Sequence, residues 1–191
     1  SPDAPVEVQL CGDRTGNLLD VTRISGNQIE VTDNKVYLSG YACAVDLSPE
    51  YFLEMTGLSI GDTITCSNSV EVISGTANAI LGRVAFITKN EGTSLILCSN
   101  NTRTVTIPSD FNNDNYTNLL LYGAVTPDES DERLAVMSNL AIYKGSYTAD
   151  TLPAYGPYGY KVSGRVEGVN LFTADESKWQ IQTYKYFKIP V

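Results

Sequence analysis

The side chains that could do chemistry are few and scattered along the chain. There is no histidine, which removes Ser-His-Asp and Cys-His nucleophile systems and the commonest catalytic metal ligand. No GxxxxGK[ST] segment occurs, and no GxGxxG opens a helix after a strand, so phosphate cradles are missing too. Glu30, Asp33, Glu50, Glu54, Glu71 and Glu91 are the stock from which glycoside hydrolysis would need a pair of acids about 5–10 Å apart. Nothing in their spacing singles out two, and they read as solvated face and turn residues. A protein without catalytic residues and without a cofactor is the expectation.

Sharper patterns lie in SDFNNDNYTN. Asp110, Asn112 and Asp114 fall at the alternate positions that supply the first three oxygens of a calcium loop. Asn115 then stands where the loop needs Gly, and Leu121 where a bidentate acid closes the site. An Asn-rich turn is the better reading, with no metal expected. The same stretch holds the best candidate ligand-binding set, Tyr116 with Asn112, Asp114 and Asn118, because a flat ring offers an apolar face to a sugar while Asn and Asp take its hydroxyls. Tyr41, Tyr51 and Tyr122 are weaker candidates of the same kind, and residues 126–134, TPDESDERL, read as a solvated acidic loop.

Cys11, Cys43, Cys66 and Cys98 are widely spaced and form no CxxC pair, so neither a thiol redox motif nor a zinc site is suggested. Ile64 and Cys66 alternate with Thr63 and Thr65, and Ile96 and Cys98 alternate with Leu97, which places both cysteines on inward strand faces. Buried free thiols are expected in preference to a disulfide, since the dense cysteine framework of small secreted domains is lacking.

The elements that would position these residues are strands. With 191 residues, 42% hydrophobic and 18% charged, the chain is long enough and apolar enough to bury a core. Its 22 acidic and 13 basic residues give a net charge of −9, which repels phosphate backbones and anionic headgroups, so nucleic acid and membrane insertion are not expected. No apolar run approaches the roughly 20 residues that span a bilayer. The opening SPDAPVEVQL lacks the regions of a signal peptide, and a chain starting at Ser1 reads as processed or excised from a longer one. Runs rich in Val, Ile, Thr and Tyr between Asn, Asp, Gly and Ser clusters predict strands over 28–32, 35–38, 63–66, 70–74, 82–88, 94–98, 102–107, 118–125 and 133–144. Asp33 and Asn34 mark a hairpin, and KNEGT at 89–93 a second. One short helix is predicted, with Ser48 as N-cap, Pro49 first, Glu50 in the first turn and Gly57 as the stop, and with Tyr51, Phe52 and Met55 available to the core.

Near the front stands GNLLD at 16–20, and near the end GVNLFT at 168–173, so two Asn-Leu pairs lie about one domain length apart. Between them LPAYGPYGYKVSGRVEG has the Gly and Pro spacing of a connector. RTGNLLD at the front, LAIYKGSYTADTLPAYGPYGYKV at the close and the fresh VNLFTADESKWQ resemble the repeated β-sandwich modules of phage and prophage tail or baseplate proteins from Gram-positive gut bacteria. Modules of that family open on an Asn-Leu segment and close on a strand, a Gly-Ser turn and a Tyr, Pro and Gly-rich tail; here that tail is 154–162. The resemblance implies an all-β antiparallel jelly-roll sandwich with carbohydrate-binding-module-like character, spanning 11–162 after a lead-in at 1–10. A connector and the truncated start of a second module follow at 163–191, with Trp179 as a packing anchor. It implies a non-catalytic structural or receptor-facing role in a virion tail, with other tail or baseplate subunits, neighbouring modules and host-surface glycan as partners. The alternative is a carbohydrate-binding module of an extracellular bacterial surface protein or glycoside hydrolase.

Overall fold

Strands occupy most of the runs in which β-branched and aromatic residues are concentrated. A computed structural model of the chain describes residues 12–14, 16–90, 94–126, 133–162, 180–182 and 186–188. In chain order its strands and α-helix are β1 (Gly12–Arg14), β2 (Ile29–Thr32), β3 (Lys35–Leu38), β4 (Cys43–Ala44), α1 (Pro49–Thr56), β5 (Thr63–Val72), β6 (Thr76–Ala77), β7 (Arg83–Thr88) and β8 (Ser94–Ser99), with a 3-10 turn at Val21–Arg23 between β1 and β2. There follow β9 (Thr102–Thr106), β10 (Tyr116–Leu121), β11 (Val125–Thr126), β12 (Ala135–Lys144), β13 (Tyr160–Val162), β14 (Gln180–Gln182) and β15 (Tyr186–Lys188).

The chain divides into two units. In Thr15–Gly159 a five-stranded antiparallel sheet in the order β2-β3-β12-β5-β9 faces a four-stranded one in the order β4-β10-β7-β8, with β6 and β11 forming a small pair. Val36, Ile64 and Ile142 from the first sheet and Val84, Phe86 and Leu119 from the second are buried in one cluster. The protein is therefore an all-β sandwich whose inward faces share a core. The other unit joins the two ends of the chain: β1 pairs antiparallel with β13, Gly12 opposite Val162, and β14 pairs with β15. Cys11, Gly92, Asn170 and Trp179 lie outside the described residues, as do 127–132 of the acidic loop.

Local chemistry accounts for several elements. The β2–β3 hairpin turns at Asp33 and Asn34, both at positive φ (52° and 59°), as the two-residue turn that matches strand twist requires. Helix α1 has the predicted ends: the Ser48 hydroxyl accepts the Tyr51 N–H at 3.3 Å, and Gly57 closes it in the left-handed region at φ 68°. Phe52 alone of its three large predicted core side chains is fully buried, while Tyr51 and Met55 are half-buried against the core.

Three expectations need correction. The strands predicted over 63–66 and 70–74 are one ten-residue strand, β5. Ser67, Asn68 and Ser69 look like a turn in sequence, but Ser67 pairs opposite Thr102 and Ser69 opposite Ser138, and the buried Asn68 donates to the Gly82 carbonyl at 2.8 Å. The run 118–125 is two strands, because Ala124 adopts φ 47° and breaks the extended backbone between β10 and β11. The alternation through Ile96, Leu97 and Cys98 fails, because a β-bulge opposes Val84 to Cys98 and Ala85 to Ile96 and leaves Leu97 as the extra residue. Leu97 and Cys98 are both buried, and Ile96 is only half-buried.

Candidate functional site

The Asn-rich segment forms a tightly bonded turn between β9 and β10. Asn112 places its side-chain oxygen on the N–H groups of Asp114 and Asn115, each at 3.0 Å, and its carbonyl accepts the Tyr116 N–H at 3.0 Å. The Asn115 amide donates to the Asp110 carbonyl at 2.9 Å. Asn113 clamps the start of α1, accepting from the Glu50 N–H at 3.3 Å and donating to its carboxylate at 2.7 Å, while Lys89 donates to the Asn113 carbonyl at 2.6 Å. The side-chain oxygen that a calcium loop would spend on an ion is here occupied by backbone N–H groups. Among the described residues, no three Cys, Asp or Glu side chains are grouped as a metal site needs.

The four predicted site residues do not form one surface. Tyr116 is 7% exposed, and its ring packs on Phe111 at 5.3 Å between centroids; Phe111 in turn meets Phe86 edge-on at 4.8 Å. Burial first, and then the neighbouring Asp110 carboxylate, push the Tyr116 phenol above its ordinary value. Its ring belongs to the core and offers no face to a solvent-borne sugar. Asp114 and Asn118 are exposed and Asn112 is half-buried. Tyr116 and Asn118, two positions apart on β10, take different environments because the pairing with β7 shifts between Tyr116 and Leu119. The sequence signal was sound as a turn and misleading as a platform, since nothing local distinguishes an aromatic that caps a core from one that projects from it.

A second group gathers on the outer face of the four-stranded sheet. Leu121 and Val84 pair on the inward face, so alternation sets their neighbours Tyr122 and Arg83 on the opposite face, where both are half-buried and the Arg83 Nε is shielded from solvent. The Arg83 guanidinium lies 5.8 Å from the centroid of the Tyr122 ring. Beside them Leu120 pairs with Ala85, Ala85 with Ile96 and Leu120 with Ala44, an apolar row across the sheet in which Leu120 and Ile96 are half-buried. Strand alternation through Leu120, Leu121 and Tyr122 carried this signal. Of the other ring candidates, Tyr41 is 42% exposed, and Tyr51 is held by Arg23, whose guanidinium donates to its hydroxyl at 2.5 Å.

Asn17, in the opening GNLLD, is a buried polar residue whose side chain makes three hydrogen bonds. Its side-chain oxygen accepts from the N–H groups of Leu19 at 3.0 Å and Ile142 at 3.1 Å, and its amide donates to the Gly156 carbonyl at 3.3 Å. The backbone beside it adds Leu18 N–H to Ile142 carbonyl at 2.7 Å. Asn17 thus ties the opening segment to the closing strand β12 and to the Tyr, Gly and Pro-rich tail in one buried knot. The Gly-Ser turn that precedes the tail is anchored through Thr65, whose hydroxyl donates to the Gly145 carbonyl and accepts from the Tyr147 N–H, at 2.8 and 3.0 Å.

No protein-family model matches the chain, and no curated protein is significantly similar to it. Among the described residues no helix is long and apolar enough to cross a membrane.

Proposed function

We propose that the chain carries a non-catalytic sandwich module of a phage or prophage tail or baseplate protein, structural or receptor-facing, with jelly-roll connectivity. The observation that supports this reading best is the Asn17 knot. The Asn-Leu opening and the closing segment, the two motifs that resemble tail modules, meet through two hydrogen bonds of one buried side chain, to Ile142 of the closing strand and to Gly156 of the Tyr, Gly and Pro-rich tail. A module whose first and last segments are fastened together can be strung in series without either end fraying. The repeated passage of the chain between the two sheets, as in β3 to β4 to β5 and β8 to β9 to β10, supports the jelly roll. Labelling particles induced from the host with an antibody to residues 15–159 should mark the tail or baseplate. Label confined to the cell wall, with none on purified particles, would sink the tail reading.

A second reading, a carbohydrate-binding module of a bacterial surface protein or glycoside hydrolase, is favoured by the outward Tyr122–Arg83 pair and its apolar row. A ring beside a guanidinium can stack on a sugar while the cation takes its hydroxyls. On a glycan array, binding that Tyr122→Ala abolishes would support glycan recognition; an array without signal leaves the structural role alone standing.

A further inference from the structure

Three described cysteines, Cys43, Cys66 and Cys98, are buried and free. Two of them touch: the Cys66 and Cys98 sulfurs are 2.9 Å apart, and both residues are wholly shielded from solvent. Cys66 lies on β5 of the five-stranded sheet and Cys98 on β8 of the four-stranded sheet, so the contact spans the core between the sheets. The cause is the connectivity. The chain leaves β8 at Ser99 and enters β9, in the other sheet, at Thr102, with only Asn100 and Asn101 between. Strand β9 lies beside β5 with Arg103 opposite Cys66, so the corner that carries Cys98 from one sheet to the other arrives next to Cys66. Facing sheets ordinarily stand about 10 Å apart, but here Cα atoms of β8 come within 8 Å of β5 and of β9. The corner is pinned by Asn100, whose side-chain oxygen accepts the Val70 N–H at 2.9 Å. The bulge at Leu97 turns Cys98 inward.

From this geometry we infer that Cys66 and Cys98 form a disulfide that clasps the two sheets when the chain folds in the presence of a disulfide oxidant, such as oxidised glutathione or a dithiol oxidase. One cysteine thiolate attacks the oxidant's disulfide, forming a mixed disulfide and expelling one thiolate. The second cysteine thiolate attacks the mixed disulfide at the protein sulfur and expels the other. Two protein thiols are oxidised, one external disulfide is reduced to two thiols, and the two protons leave on those thiols. Burial pushes the Cys66 thiol up, which keeps thiolate scarce in the closed sandwich and assigns the exchange to folding, before the sheets meet. The inference stands apart from any tail function.

The test refolds the full chain from denaturant either with oxidised and reduced glutathione or with excess reductant. Peptide mapping without reduction should show the Cys66 and Cys98 peptides linked in the first sample, with the intact mass lower by two hydrogen atoms for that bond. The linked chain should melt on the order of 10 °C higher, since the bond removes loop-closure freedom from the unfolded state. A Cys98→Ala chain should lose that oxidant-dependent rise. Cys66 and Cys98 both alkylated after oxidative refolding, either one linked to Cys11 or Cys43, no gain in melting temperature on linkage, or a rise that persists in Cys98→Ala would each overturn the inference. The mapping on the unaltered chain decides the matter even if Cys98→Ala folds poorly.

Discussion

At the scale of single residues, buried polar groups and rings carry more than their sequence context announces. Asn17 is 2% exposed and satisfies two N–H groups and one carbonyl. Asn17→Ala should therefore cost about 2 kcal/mol, the penalty of leaving buried backbone groups without partners, read as a lower urea midpoint with an unchanged slope. Asn17→Asp keeps the acceptor but sets a carboxylate oxygen against the Gly156 carbonyl, and should be destabilised as well. Tyr116 was legible as an aromatic in a polar turn, yet Phe111 of the same segment packs on it and is joined to the core by Phe86 of β7. Tyr116→Ala should cost about 3–5 kcal/mol, as truncation of a buried aromatic does, so loss of ligand binding in that variant would report unfolding. Asp114→Ala and Asn118→Ala, both at exposed positions, should leave the melting temperature within a degree or two and are the cleaner probes of the loop.

At the scale of elements, the turns and caps are where sequence and structure agree most closely, because their chemistry is local. The β2–β3 turn holds Asn34 at φ 59°, a conformation that disfavours β-branched residues. Asn34→Val should lose roughly 1–2 kcal/mol in chemical denaturation, while Asn34→Gly should be neutral or better. Two ion pairs fasten elements together. Arg133 donates to Glu30 of β2 at 2.5–3.0 Å and lies 4.3 Å from the Tyr37 ring centroid, and Lys144 at the end of β12 donates to Asp62 at 2.9 Å. The Arg133 hydrogen bond holds the Glu30 carboxyl below its ordinary 4.5, and the Lys144 hydrogen bond, then the Ser59 N–H, hold Asp62 below its ordinary 3.8. A lowered folded pKa means stabilisation that is complete above those ordinary values and disappears as pH falls through the lower folded ones. The urea midpoint should accordingly fall in acid, beginning below 4.5 for Glu30 and 3.8 for Asp62. Arg133→Ala and Lys144→Ala should each flatten part of that fall; identical acid profiles in all three proteins would remove both pairs from the account. The bulges in β8, β10 and β12 were not legible, because an extra residue in one strand is defined only by its partner strand.

At the scale of the molecule, Thr15–Gly159 contains both facing sheets, the shared core and the Asn17 knot that fastens its ends. Expressed alone it should fold and unfold in one cooperative transition, followed by far-ultraviolet circular dichroism and tyrosine fluorescence. A broad, non-cooperative melt would show that the sandwich depends on residues outside it. What the sequence determined by itself was whatever rests on neighbours a few positions apart: strand content from β-branched runs, the Asp33-Asn34 turn, and both ends of the Pro49–Thr56 helix. These follow from backbone preferences and local hydrogen bonds, which a chain carries wherever it goes. Only the tertiary structure decided that Ser67, Asn68 and Ser69 continue a strand, that Tyr116 is a core ring, that Arg83 and Tyr122 share an outer face, and that Cys66 meets Cys98. Each of these depends on which strand lies opposite, and burial and pairing across sheets are fixed by contacts between residues far apart in the chain, which no local pattern encodes.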